Sequence, residues 1–231
     1  MIRSLRVLAA VAITMSCGCT VESNARIKSN WAAAFRTRCG AAIEADPANA
    51  VHLETYCGCV SEKYLATFSG IQLSILSLSK PLNDAARAIR RRCSLIATTQ
   101  GEYNQFLQSV NARSNLATTA YVTPDFSATD VHGHSEDTER WLARLNARPS
   151  GDDVVAVVRA VDVTPKRKTV RLELSYDTEK AVRGTNETVE TRSFLSDTWV
   201  DRDGTLLLER STTTMVETYV DGKLASRVKS K

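Results

Sequence analysis

Apolar residues recur at intervals of three and four in the first part of the chain and at every second position in the last part. Trp31, Ala34, Phe35 and Arg38 fall at helical spacing. Asp46-Pro47 marks a turn, with Asp46 as an N-cap and Pro47 as the first residue of the next helix. That second helix is predicted over Val51 to Phe68, with Leu53, Tyr56, Val60, Tyr64 and Leu65 as its apolar stripe; Ser69-Gly70 breaks it. A short apolar stretch covers 71–79, and Lys80-Pro81 opens a third helix. There Leu82, Ala85, Ala86 and Ile89 face inward, while Arg87 and Arg90 to Arg92 take the polar side. Gly101 reads as its stop. Residues 102–120 predict a further helix carrying Tyr103, Phe106, Leu107, Val110 and Leu116.

The period then changes. Pro124 and Gly133 punctuate a connecting stretch in which Phe126 sits on a short extended piece. Ser135 is placed to cap a helix bearing Trp141, Leu142 and Leu145. Beyond Pro149-Ser150-Gly151, Val154 to Val163 reads as a strand, and Thr164 to Arg167 turns the chain. Val170, Leu172, Leu174 and Tyr176 alternate with Arg171, Glu173 and Ser175, the signature of a half-buried strand. Thr188 to Val200 predicts a third strand. Asp201 to Gly204 is a hairpin turn with Gly where φ must be positive, and Thr205 to Val220 is a fourth strand. Asp221-Gly222 turns into a short terminal piece. Helices followed by antiparallel strands define an α+β chain.

The chain has 231 residues, 43% apolar and 24% charged, as in ordinary globular proteins, which excludes low-complexity disorder and collagen. Its opening, MIRSLRVLAAVAITMSCGCT, adds an address. Arg3 and Arg6 form a positive region ahead of the apolar core Leu5 to Met15, which is too short for a bilayer span of ~20 residues. A small residue precedes each of Cys17 and Cys19, as in a bacterial lipobox. Lipidation of Cys19 leaves four cysteines that pair evenly; lipidation of Cys17 leaves Cys19 over, so Cys19 is favoured. Thr20 and Val21 follow it and no Asp does, which points to outer-membrane sorting. The expected address is the periplasmic side of a bacterial envelope, with the membrane reached through a lipid anchor. Loss of Arg3 and Arg6 halves the +4 net charge, too little to argue for nucleic acid.

Residues 1–19 are thus expected as signal, 20–100 as a helical cysteine module and 101–231 as an α+β domain. Cys57-Gly58-Cys59 is the sharpest local feature. Two residues apart on a helix is ~200° of rotation, so the sulfurs point to opposite sides and reach different partners. Cys39 and Cys93 lie on the flanking helices, and two disulfides would staple three helices whose core is small. Which cysteine takes which partner stays open. The spacing suits neither structural zinc, the redox Cys-x-x-Cys nor haem attachment, so disulfides are favoured over a metal, and no cofactor is indicated. Arg90 to Arg92 suit an anionic contact, but equally a solvated basic helix face, which is preferred.

Residues 102–219 resemble the nuclear transport factor 2-like superfamily, shared with ketosteroid isomerases and SnoaL-like cyclases. The resemblance rests on a helical hairpin, the PDF string, a short strand into Gly133, another helix and meandering strands, with DTWVDRDGTLLLERSTTT close to the family's last hairpin. It implies a cone-shaped α+β domain, a curved sheet around an apolar pocket, and a homodimer through the convex sheet face. Enzymes of the family use a pocket carboxylate or His as base, with Tyr or Asp donors. The candidates here are Tyr121, Asp125, His132, His134, Tyr176, Asp197 and Tyr219, with Phe126, Trp141 and Trp199 as apolar pocket candidates. Asp197 shares a strand face with Leu195 and Trp199, where a carboxylate would have a raised pKa and act as a base. His132 and His134 flank Gly133, but no third metal ligand accompanies them. No nucleophile triad order, phosphate loop or dinucleotide fingerprint occurs.

Two readings compete. In the favoured one a non-enzymatic envelope protein uses the cone to bind an apolar ligand or a protein partner, with the helical module as a stapled adaptor. In the other an isomerase or cyclase keeps its base, Asp197, in the cone. An envelope inhibitor or immunity protein is a third alternative. The polarity of the cone discriminates them.

Overall fold

Apolar spacing of three and four gives way to alternation near residue 120, and the chain changes from helix to strand there. The computed structural model describes residues 17–147, 153–182 and 185–230, with side chains described except at 17–22 and 178–187. Residues 1–16, most of the stretch 1–19 expected as signal, and the side chains of Cys17 and Cys19 lie outside the described residues. The order is α1 (Cys17–Ala45), a short 3-10 turn (Pro47–Asn49), α2 (Ala50–Thr67), α3 (Gly70–Ser74), α4 (Lys80–Asn111), α5 (Asn115–Thr119), β1 (Val122–Thr129), β2 (Ser135–Glu136) and α6 (Thr138–Asn146). Five strands close the chain: β3 (Val155–Thr164), β4 (Arg167–Val182), β5 (Thr185–Arg202), β6 (Thr205–Val220) and β7 (Lys223–Lys229).

The first three long helices bury a small core of Val60, Tyr64, Phe68, Leu73, Ala86 and Cys93. Trp31 stacks on Phe35 at 4.9 Å and on Tyr64 at 5.4 Å between ring centroids. The Tyr64 hydroxyl donates to the Ala86 carbonyl at 3.2 Å, so its burial leaves no polar debt. Cys39 is bonded to Cys57 and Cys59 to Cys93. The two sulfurs of the Cys-x-Cys pair, on opposite sides of α2, thus tie it to α1 and to α4. Ser69 caps α3 with a full capping box to Gln72. Gly70 lets α3 sit against α1: a Cβ there would lie 2.7 Å from the Asn24 carbonyl oxygen.

Several local expectations are corrected. Gly101 does not stop a helix: α4 runs 32 residues straight through it. The cost of one helical glycine, ~1 kcal/mol, is outweighed by burial of Ile96, Tyr103, Phe106, Leu107 and Val110 on either side of it. Of the predicted inward residues Leu82, Ala85, Ala86 and Ile89, Ala86 is buried, Leu82 and Ile89 are half-buried against the helical core, and Ala85 is exposed. Leu116 is exposed on α5 rather than part of a stripe. Asp46 precedes the 3-10 turn and its carboxylate accepts from the Asn49 side chain at 2.8 Å instead of capping α2. Asp137, not Ser135, caps α6, its Oδ1 accepting from the Arg140 N–H at 2.9 Å; Ser135 belongs to β2.

The chain is α+β, a stapled helical module followed by a curved, mostly antiparallel sheet. The sheet order is β2-β1-β6-β5-β4-β3, with β7 pairing the far part of β6. The β1–β6 pair alone is parallel among those described. Register shifts at Val158/Ala160, Phe194/Leu195 and Thr198/Trp199 bend the long strands. The β5–β6 hairpin turns on Asp203 (φ 56°) and Gly204 (φ 83°), as Asp-Gly favours. β3 ends the sheet, and α4 covers its edge. Gln100 accepts from the Val158 N–H and donates to the Ala156 carbonyl, both at 2.8 Å; Asn111 does the same for Val154 at 3.0 Å. A naked edge strand would otherwise be a pairing hazard. The N-terminal half of α4 serves the helical core and its C-terminal half the sheet core.

Candidate functional site

Between α4, α6 and the inward face of the sheet lies a cavity of about 230 Å³. Even-numbered positions of β4 point into this layer: Val170 and Leu172 are fully packed, and Leu174 and Tyr176 line the opening. Phe106, Leu107 and Val110 of α4, Trp141 and Leu145 of α6, and Leu195 and Leu208 make the wall largely apolar, with Arg144, Ser193, Ser211 and Thr213 among its polar members.

One carboxyl group stands in that wall. Asp197 is 3% exposed on β5. Its Oδ2 accepts from the Tyr103 hydroxyl at 2.5 Å, and that hydroxyl in turn accepts from Trp199 Nε1 at 2.8 Å. The phenol is therefore fixed as a donor toward Asp197 by a donor behind it. Asp197 Oδ1 is buried and has no hydrogen-bond partner among the described residues. Burial raises the carboxyl pKa from its ordinary 3.8 to about 6, against the opposing pull of the Tyr103 hydrogen bond and of the Ser211 hydroxyl, whose residue lies directly across on β6. Burial and the neighbouring carboxylate push the Tyr103 phenol well above its ordinary value. As a carboxylate, Asp197 accepts a hydrogen bond or a proton from a bound molecule; as an acid it donates one.

The other sequence candidates scatter. Trp141 and Tyr176 line the cavity with Asp197. Phe126 is buried against Trp141, 4.7 Å between centroids, and lies behind the lining. Trp199 and Tyr121 do not line this cavity but a second one. Asp125 is exposed and paired with Arg202 at 3.0 Å. His132 and His134 sit in an exposed turn organised by Asp130, whose carboxylate accepts from both backbone N–H groups and meets His134 Nδ1 at 3.1 Å. No metal-holding group occurs among the described residues. Tyr219 donates to Glu217 under the Arg192 guanidinium and is not among the lining residues. Sequence reasoning missed Tyr103 and Ser211. Tyr103 was legible as an inward residue, but nothing local ties it to a carboxyl 94 residues away.

No protein-family model and no curated protein matches the sequence. Solved structures similar to it include a conserved protein from Planctomyces limnophilus, at 13% identity and TM-score 0.42, covering 51% of this chain and 91% of that one. Others are a polyketide cyclase-like protein from Sinorhizobium meliloti (17%, TM-score 0.32, covering 48% and 92%) and an NTF2-like protein of unknown function from Cytophaga hutchinsonii (13%, TM-score 0.29, covering 52% and 86%). At these values the likeness says nothing about activity.

Proposed function

We propose that the chain is an exported bacterial envelope protein, anchored through a lipidated Cys19, whose cone-shaped domain binds a small, mostly apolar molecule bearing one hydrogen-bonding group. One observation carries the binding role: an apolar cavity whose wall holds a buried carboxyl with Oδ1 unpartnered. A buried polar atom without a partner is costly, and a ligand donor would relieve that cost. The volume lies just under the ~300–1,000 Å³ of drug-sized sites, so the occupant is small. Two disulfides suit an oxidising, exported location. Among the described residues no helix is long and apolar enough to cross a membrane. Ile71, Ile75 and Leu78 are exposed beside the start of α1, where the Gly70 N–H donates to Asn24 Oδ1 at 2.5 Å. That is the end an anchor at Cys19 would hold against a bilayer.

The test is a native mass spectrum of the chain extracted from its own envelope without reduction. A retained small molecule, lost on unfolding and absent from a Leu195→Trp variant that fills the cavity, is the expected result. A bare mass for the wild-type chain overturns the reading.

A second reading, an isomerase or cyclase using Asp197 as base, is favoured by one observation, the placement of this carboxyl in the cavity wall, where burial raises its pKa. It predicts that the retained molecule exchanges a carbon-bound proton with D2O in the wild type and not in Asp197→Asn. Binding without exchange leaves the chain a binding protein.

A further inference from the structure

A second cavity, about 320 Å³, shares Tyr103 with the first and none of its other lining residues. Its wall contains Lys168, on the same inward face of β4 as Val170 and Leu172. The lysine side chain is only 10% exposed, and its ion-pair partner is Glu102 of α4, which is 47% exposed. A lysine so far out of water requires an anion beside it. Thr99 lies one turn before Glu102 on the same helix face, and both residues line this cavity. Thr99 is 1% exposed, and its Oγ1 has no hydrogen-bond partner among the described residues. Trp199, paired with Lys168 across β4 and β5, and Tyr121 add flat apolar walls. The indole N–H is already engaged by Tyr103, so Trp199 offers the cavity its ring.

The anion position is thus occupied from within by a half-exposed side chain that can turn out into water. We propose that this cavity is a second ligand site, for a small carboxylic acid with a flat apolar body. The ligand carboxylate displaces Glu102 from Lys168 and accepts from Thr99 Oγ1, while the body lies against Trp199 and Tyr121. The hydrogen bonds come from an ammonium and a hydroxyl, so an uncharged isostere keeps an acceptor for the ammonium but loses the opposite charge that strengthens that bond.

The disulfide-bonded chain is titrated with phenylacetate and, separately, with uncharged phenylacetamide, following tryptophan fluorescence and heat of binding. Phenylacetate should bind roughly tenfold more tightly than the amide. Glu102→Gln, which removes the internal competitor, should tighten phenylacetate binding several-fold. Lys168→Met should weaken it by roughly tenfold or more, and Thr99→Val by about threefold. Glu102→Gln retains Lys168, so it decides the matter even if Lys168→Met fails to fold. Equal affinity for acid and amide, a Glu102→Gln variant that binds no better than wild type, or no binding to either protein at millimolar concentration overturns the site.

Discussion

Replacing Asp197 by Asn removes one buried titration and leaves a side-chain carbonyl to accept from Tyr103. In the folded chain the Asp197 pKa is raised from 3.8 to about 6. A carboxyl that holds its proton more tightly when folded binds more protons in the native state, so unfolding free energy falls as pH rises through that window. The contribution is fully present below 3.8 and lost above about 6. A span of roughly two pKa units at ~1.36 kcal/mol each gives about 3 kcal/mol. Asp125, Asp130 and Glu217 have pKa values held below the ordinary range, mainly by hydrogen bonds, and they pull the opposite way. They do so equally in both proteins, so the difference between wild type and variant isolates Asp197. Urea unfolding of both, disulfides intact and salt constant, is followed from about pH 3 to about pH 8. The variant should gain about 3 kcal/mol on the wild type across that range. A constant difference between the two curves would refute the burial of Asp197 and with it the polar group of the first cavity.

Gln100→Leu should cost about 2–4 kcal/mol and speed amide exchange at Val158, because it strips the Ala156 carbonyl and Val158 N–H of their partner; unchanged exchange would show that β3 is not clipped by α4. Gly70→Ala places a Cβ 2.7 Å from the Asn24 carbonyl oxygen and 2.9 Å from Ile27 Cβ, and should lower thermal stability by about 1–3 kcal/mol. Joint replacement of Cys59 and Cys93 by Ala opens a closure spanning 34 residues and should cost about 4 kcal/mol in urea unfolding; a loss below about 1 kcal/mol would mean that packing alone holds α2 to α4. A chain made without residues 1–19 should sediment with anionic vesicles, and Ile71→Asp with Leu78→Asp should abolish this. Equal sedimentation of the two would remove the membrane-facing role from α3 and the turn that follows it.

What was legible in the sequence is what local rules govern. Alternation through Val170, Leu172, Leu174 and Tyr176 marks the inward face of β4, and Asp203-Gly204 marks the hairpin. The rotation between Cys57 and Cys59 sends them to different partners. The same parity places Asp197 beside Leu195 and Trp199. It also places Lys168 with Val170, a signal present in the pattern yet masked by the adjacent polar turn. The rest depends on one helix. If the helix ended at Gly101, Thr99 and Gln100 would belong to a different element from Glu102 and Tyr103. Their side chains would then have no common geometry. Tertiary burial carries α4 through the glycine, and four side chains with separate places in the fold fall on either side of it within Thr99 to Tyr103. Gln100 clips the edge of β3, Glu102 pairs with Lys168 in a cavity that Thr99 also lines, and Tyr103 lines both cavities while holding Asp197. Helix propensity reads Gly101 as a boundary, and the contacts that overrule it come from strands more than fifty residues later, such as Gln100 with Ala156, 56 residues apart. The candidate carboxyl could be found from its own strand; the partners that give it its chemistry could not.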